Sequence, residues 1–156
     1  MAEEKLTQAR KVFDTLCATL DSLEWKYSKD ETKLSIETGA RGDDFPIPLT
    51  IKTDVDRQLI MLLSHLPGEI PEDKRLDAAV AVSLVNNHLV DGSFDYDIAS
   101  GHMFFRMTSS FIESEIGKEL FVYMVMVSCN TIDEYNDKFF MLGKGMMSIE
   151  DFISII

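Results

Sequence analysis

Cysteine and histidine, the side chains on which most metal sites and many nucleophilic centres depend, are scarce in this chain. Its 156 residues include two cysteines and three histidines. The histidines stand apart from one another and from both cysteines, so neither a zinc site nor any other metal or cofactor is expected. Cys17 and Cys129 fall within apolar helical patterns. They predict two small buried thiols in a reducing compartment, with a disulfide as the less favoured alternative.

Positive charge is also in short supply. The chain has 15 basic and 27 acidic residues, a net charge of −12. Proteins that bind nucleic acid or anionic membranes use clustered Lys and Arg, and no such cluster occurs here. No run of about 20 apolar residues is present that would span a membrane. The N-terminal Met-Ala-Glu-Glu lacks the cationic start of a signal peptide. We therefore expect a cytoplasmic protein with neither nucleic-acid partners nor a membrane span.

Motifs for catalysis are missing as well. The chain contains no glycine-rich phosphate loop, nucleophile elbow or calcium-binding loop. Asp95 and Asp97 share one face of a predicted strand, where carboxylates are usually solvated rather than catalytic. We expect no enzymatic activity and no catalytic residues. A site assembled from residues distant in sequence stays open as an alternative.

Hydrophobic periodicity predicts an α+β fold in one domain, residues 1–156. An amphipathic helix over Glu3–Trp25 precedes three strands and a second helix. A two-stranded hairpin, a long helix over Gly117–Leu142 and a short final helix follow. The order α-β-β-β-α-β-β-α-α predicts an antiparallel sheet of about five strands packed with helices.

The second helix has an unusual distribution of apolar residues. From Leu76 to Val90 they lie on nearly every side of the helix. Pro71 fits the start of such a helix and Gly92 its end. A helix that is apolar all round must be covered on more than one side. The sheet covers one side, and a second helix or a second subunit must cover another.

Three strand features yield specific expectations. The continuous apolar run Leu59–Leu63 predicts a strand buried on both faces. Pro46 and Pro48 cannot donate ladder hydrogen bonds, so their strand begins irregularly or at an edge. In the hairpin we predict a two-residue turn at Ser100-Gly101. The resulting register pairs Phe94 with Met107, Tyr96 with Phe105 and Ile98 with Met103 on the core face. On the other face it pairs Asp95 with Arg106.

Methionine is abundant, and seven of the nine methionines lie from Met103 to Met147. Methionine fills irregular cores, but it is also frequent on adaptable binding surfaces. We predict a partner or dimer surface that includes Val82, Val85, Met124 and Met126. Filling of the core remains the alternative for the methionines.

Several segments resemble a known family. The segments Val85-Asn86-Asn87, Gly92–Asp97 and Gly101–Arg106 are similar to those of the YbjN-like family of small bacterial proteins. The long helix and the final segment Ser148–Phe152 are similar to its C-terminal part. That family resembles the type III secretion chaperone fold, an α+β sandwich that usually dimerises and binds extended segments of client proteins.

The resemblance implies a homodimeric, non-enzymatic protein-binding module with a chaperone-like or regulatory role. Its partner would be another protein, bound through apolar surface. The alternative is a protein that holds a small apolar, lipid-like ligand between the sheet and the C-terminal helices.

Overall fold

The computed structural model describes all 156 residues. They form four α-helices and six strands, confirming the predicted α+β class. The elements are α1 (Ala2–Ser22), β1 (Ser28–Asp30), β2 (Ser35–Arg41), β3 (Pro46–Asp54), β4 (Leu59–His65), α2 (Arg75–His88), β5 (Ser93–Asp97), β6 (His102–Ser110), α3 (Lys118–Gly143) and α4 (Ile149–Ile155). The sheet is antiparallel throughout, in the order β1-β2-β3-β4-β6-β5. The short β1, which pairs with β2, is the strand that periodicity did not predict.

The helices cover one face of the sheet. Buried side chains alternate along β3 at Ile47, Leu49 and Ile51, as expected of a sheet with one face in the core. Together with apolar residues of all four helices they form a continuous cluster of 30 buried residues. The opposite face of the sheet has no helix on it, so the molecule consists of two layers.

The second helix is present and is covered from three directions. A 3-10 turn, Glu72–Lys74, leads into α2, which contacts β5, α3 and α4. Of the two predicted alternatives, a second helix or a second subunit, helices α3 and α4 supply this cover. One flank nevertheless remains uncovered, since the Leu76 side chain is 74% exposed and Val80 is also exposed.

The register of the hairpin differs from the prediction. Phe94 lies opposite Phe105 rather than Met107, and Tyr96 lies opposite Met103. The shift is two residues, so the side chains within the two strands keep their predicted faces. Ile98, predicted to lie opposite Met103 on the core face, instead falls in the loop and is exposed. The predicted ion pair is present, although its two residues are diagonal neighbours instead of directly opposite. Arg106 lies opposite Ser93, and its Nε is 2.9 Å from Asp95 Oδ2.

A longer loop causes the shift. The connection is four residues rather than two, because the Asp97 carboxylate accepts hydrogen bonds from the Ala99 N–H at 3.0 Å and the Ser100 hydroxyl at 2.7 Å. The Gly101 N–H closes the loop on the Asp97 carbonyl at 2.7 Å. Gly101 has φ +79°, and a Cβ there would lie 2.3 Å from the Ile70 carbonyl oxygen. Only glycine fits this position without strain.

Strands β3 and β4 show one confirmed and one wrong prediction. Pairing between them begins only at Thr50. Pro46 and Pro48 therefore pair with β2 on one side only and have no strand on the other, which agrees with the predicted irregular or edge-like start of this strand. Strand β4, in contrast, is not buried on both faces. Its Leu59, Met61 and Leu63 are only partly buried, because no helix covers the outer face of the sheet.

The C-terminal helices match the sequence prediction closely. The long α3 is helical from its first turn, although its first half is rich in aromatic and β-branched residues. The Ser148 hydroxyl accepts a hydrogen bond from the Asp151 N–H at 3.0 Å and caps α4 as predicted. At the other end of the chain α1 stops at Ser22, three residues before the predicted Trp25.

Candidate interaction surfaces

Three of the four residues predicted to form a partner surface lie in the core. Val82, Val85 and Met124 are buried, with Met124 3% exposed. They occupy the faces of α2 and α3 that pack against the rest of the protein, so their apolar character serves the fold of this chain. Met126, two residues further along α3, is 49% exposed and is the one member accessible to a partner.

Exposed apolar side chains are concentrated on one half of the helix layer. Of thirteen large hydrophobic residues that are exposed, nine lie on α2, α3, α4 or the segments beside them. These nine are Leu76, Val80, Val90, Leu120, Tyr123, Met126, Met146, Ile153 and Ile155. Helix α1 contributes only Leu6. The asymmetry indicates that this half of the layer is the one suited to contact another apolar surface.

The uncovered side of α2 is a strip without charge. Leu76, Ala79, Val80, Ser83 and Asn87 follow one another at helical spacing, and none is fully buried. We call these five residues the α2 flank. Leu76 and Val80 were predicted as apolar residues of this helix and not as part of a surface. The sequence signal for this surface was the absence of charged residues at these five positions.

A second apolar area surrounds Met126 on the first half of α3. Leu120, Tyr123 and Met126 are three residues apart and share one side of the helix. The Tyr123 hydroxyl donates a hydrogen bond to the Asp91 carboxylate, which raises the pKa of Tyr123. This bond holds the loop after α2 against α3, and the adjacent Val90 is 97% exposed.

The outer edge of β5 is closed by a side chain. The Asn86 Nδ2 donates to the Phe94 carbonyl at 2.9 Å, and Asn86 Oδ1 accepts from the Phe94 N–H at 2.8 Å. The carboxamide therefore makes the two hydrogen bonds to Phe94 that the main chain of an additional strand would otherwise make. Unpaired edges invite association with other strands, and Asn86 blocks that association here.

Two features of the titratable side chains concern metal binding and thiol reactivity. No group of three His, Cys, Asp or Glu side chains is placed to hold a metal ion. Burial raises the pKa of Cys17, and burial with the nearby Asp133 carboxylate raises the pKa of Cys129 to about 11. Both cysteines are free, and Cys17 is buried as predicted whereas Cys129 is only partly buried. Both thiols are protonated at neutral pH, when a thiol is a poor nucleophile.

The space between the sheet and the C-terminal helices is filled by aromatic rings. The Phe94 ring lies 5.3 Å from Phe105 and 5.1 Å from Phe139, and Phe139 lies 5.5 Å from Phe152. Pockets for small organic ligands typically occupy about 300–1,000 Å³, and no cavity of that size opens among these rings. The alternative of a lipid-like ligand in this position therefore has no support. None of the helices combines the length and the hydrophobicity that crossing a membrane requires.

Solved structures with the same architecture include one from the bacterium E. coli and two protein complexes. The crystal structure of E. coli YbjN superposes with a TM-score of 0.58 at 16% identity, covering 80% of this chain and 87% of that one. The ExsC–ExsE complex gives 0.59 at 13% identity, covering 81% and 92%. The HopA1–SchA chaperone–effector complex gives 0.50 at 16% identity, covering 80% and 91%. At these identities the likeness shows the fold, which is that of type III secretion chaperones.

The sequence itself matches a family over most of its length. No curated protein matches the chain in sequence. Residues 13–141, however, which run from α1 to the end of α3, match the family described as "putative bacterial sensory transduction regulator". This chain therefore belongs to the YbjN family.

Proposed function

We propose that this protein is a non-enzymatic protein-binding module with a regulatory or chaperone-like role, which acts in the cytoplasm as a homodimer. The α2 flank carries the proposal. It is the uncharged side of a helix that is apolar all round, and it remains open after β5, α3 and α4 have packed against that helix.

The fold comparisons support binding to another polypeptide. Two of the solved structures that share this architecture are complexes of two proteins, and one of them is a chaperone with its effector. The E. coli structure comes from the same family as this chain. These similarities support a role in binding another protein. They do not identify that protein.

Electrostatics favours a second copy of the chain as the occupant of the α2 flank. Two molecules that each carry a net charge of −12 repel one another over most of their surfaces. They can approach closely only where charge is absent, as it is along this flank. Ala79 and Ser83 are small, which lets two helices pack at short interaxial distance. In a twofold dimer each residue of the flank is buried twice, once in each copy.

Light scattering coupled to size exclusion tests the proposal. We expect a dimer for the wild-type chain, and for Val80→Glu a dissociation constant raised by about 100-fold or more, since two unpaired carboxylates would enter the interface. Val90→Glu is the matched control, because Val90 is equally apolar and more exposed but lies off the α2 flank. Circular dichroism should be unchanged in both variants.

Two outcomes would overturn this assignment. One is a wild-type chain that remains monomeric at every concentration tested. The other is a Val80→Glu variant that dimerises as tightly as wild type, which would place the interface elsewhere.

A further inference from the structure

Asn136, on the second half of α3, is buried without a hydrogen-bonding partner. It is 1% exposed, and neither its side-chain oxygen nor its side-chain nitrogen makes a hydrogen bond. Leaving such a group unpaired destabilises the folded protein. Most buried polar groups in folded proteins are paired, so an amide with both atoms free indicates a group that pairs with something outside this chain.

The side chain of Asn136 lines a narrow cleft between α3 and the segment that joins β4 to α2. The cleft has a volume of about 20 Å³. Its apolar walls are Leu66, Pro67, Ile70, Met103, Phe139 and Phe140. We call it the Asn136 cleft. It is too small for a nucleotide, a lipid or another organic cofactor, and it has room for about one water molecule or the edge of a polypeptide.

The chemistry of a free carboxamide matches that of a peptide group. It offers one donor and one acceptor side by side, and a peptide main chain offers their complements. The same protein already contains this arrangement at a different place, where the Asn86 carboxamide binds the N–H and the carbonyl of Phe94. Asn136 is placed to bind an incoming strand in the same way.

One part of the cleft wall is held by main-chain hydrogen bonds, and another part is a side chain that is only partly buried. The Leu66 N–H donates to the Met103 carbonyl at 3.0 Å, and the Ile70 N–H donates to the Gly101 carbonyl at 2.9 Å. Phe140 is only partly buried. Because the polar atoms of Asn136 are sealed from solvent in the free chain, an incoming strand reaches them only when a side chain that lines the cleft moves.

The surface beyond Phe140 favours a positively charged partner. The Phe45 ring lies 5.0 Å from the Phe140 ring and forms a shallow apolar depression together with Met141, bordered by Asp44 and Asp137. Asp44 has no cationic partner within 4.0 Å, whereas Asp137 is paired with Lys138. The one cation over the Phe140 ring is Lys144, at 5.5 Å. On a protein of net charge −12, this area attracts lysine and arginine.

We propose that the Asn136 cleft binds an extended, positively charged segment of a partner protein. Asn136 pairs with the main chain of that segment, one of its apolar side chains packs against Phe45 and Phe140, and a basic side chain lies at Asp44. This assignment rests on the proposed protein-binding function and names the chemistry of the partner. It uses a surface formed by α3 and two loops, which is separate from the α2 flank.

Fluorescence anisotropy with synthetic peptides tests the assignment. The probe is a labelled peptide of alternating lysine and leucine, and the comparison peptide carries glutamate in place of lysine. We expect wild type to bind only the basic peptide, and more weakly as salt rises. Asn136→Leu should weaken binding by about tenfold or more while the urea midpoint stays equal or rises, since the unpaired amide is gone. Asn130→Leu, on an exposed position of the same helix, is the matched control and should bind as wild type does.

Nuclear magnetic resonance gives a readout that does not depend on a variant. In wild-type protein labelled with ¹⁵N, the side-chain amide signals of Asn136 should shift on addition of the basic peptide. Unshifted Asn136 signals at saturation, equal binding by Asn136→Leu, or equal binding of the acidic peptide would each overturn the assignment. Dimerisation is measured independently, so a wild-type dimer without peptide binding refutes this inference alone, whereas a monomer that binds the peptide refutes only the proposed dimer.

Discussion

The carboxamide of Asn86 binds both main-chain groups of Phe94, at 2.9 Å and 2.8 Å, and so completes the hydrogen bonding of an edge strand from within the same chain. Helix α2 places Asn86 one and a half turns beyond Val80, on a different side from the uncovered flank. One helix therefore serves two purposes: it leaves an apolar strip open and closes a polar edge. Strand pairing at the β5 edge is thus disfavoured, while the apolar strip stays available for helix contacts.

Removing this bond should both weaken the fold and open the edge. We expect Asn86→Ala to lower the free energy of unfolding by about 1–3 kcal/mol, because two main-chain groups of Phe94 lose their partner. Urea denaturation measures the loss, and light scattering over time should report strand-mediated aggregation. Asn130→Ala, at an exposed helical position, is the control and should unfold like wild type. Equal stability of the two variants would contradict the role given to Asn86.

Two methionines on α3 should respond to truncation very differently. Met124 is 3% exposed and Met126 is 49% exposed. We expect Met124→Ala to cost about 2–5 kcal/mol because it leaves a cavity in the core. Met126→Ala should change stability by no more than about 0.5 kcal/mol. Thermal or urea unfolding of the two variants measures the difference, and a similar loss in both would show that the surface around Met126 is already covered in the folded protein.

The cysteines should resist thiol reagents in the folded protein. Burial with the Asp133 carboxylate raises the pKa of Cys129 to about 11, and burial also raises the pKa of Cys17. Relative to the ordinary pKa of 9.0, this shift makes the reactive thiolate of Cys129 at pH 8 scarcer by roughly 90-fold. Iodoacetamide labelling followed by mass spectrometry should therefore be slow in buffer and fast in urea. Rapid labelling of native Cys129 would contradict the burial seen here.

The hairpin loop should make a contribution to stability that depends on pH. The Ser100 hydroxyl, with the Ala99 N–H, holds the pKa of Asp97 below its usual range. A depressed folded pKa stabilises the protein above the unfolded value, and that contribution is lost as the pH falls through the folded one. Ser100→Ala should therefore reduce the urea midpoint at neutral pH, and the difference from wild type should shrink below about pH 4. A difference that is constant across this range would exclude the charged form of Asp97 as its source.

The architecture could be predicted from sequence because its elements are long and strongly periodic. The span of α3 differs from the prediction by one residue at each end, and the two prolines of β3 correctly indicated a strand start that is unpaired on one side. The hairpin faces were also correct, except at Ile98, which lies in the loop. The register of the hairpin was not, because the side chain of Asp97 builds a four-residue loop, and no hydrophobic pattern reports on that.

The candidate surfaces were harder to predict, since apolar residues look alike whether they fill a core or face a partner. Val82, Val85 and Met124 were chosen for their character, and the fold uses all three internally. Leu76 and Val80 have the same character and remain outside. Asn86 and Asn136 lie on two different helices, and only their three-dimensional surroundings reveal that one carboxamide is fully paired and the other is not.

Arg75, the first residue of α2, joins three separate parts of the chain. Its guanidinium donates to the carbonyls of Ile70 at 3.2 Å, Ala99 at 2.5 Å and Ser100 at 3.2 Å. Loops are usually the first parts of a protein to open in hydrogen exchange. Here the two loops beside the Asn136 cleft are fastened to the start of a helix, so the amide protons of Ile70 and Gly101 should exchange together with those of α2, as one cooperative unit.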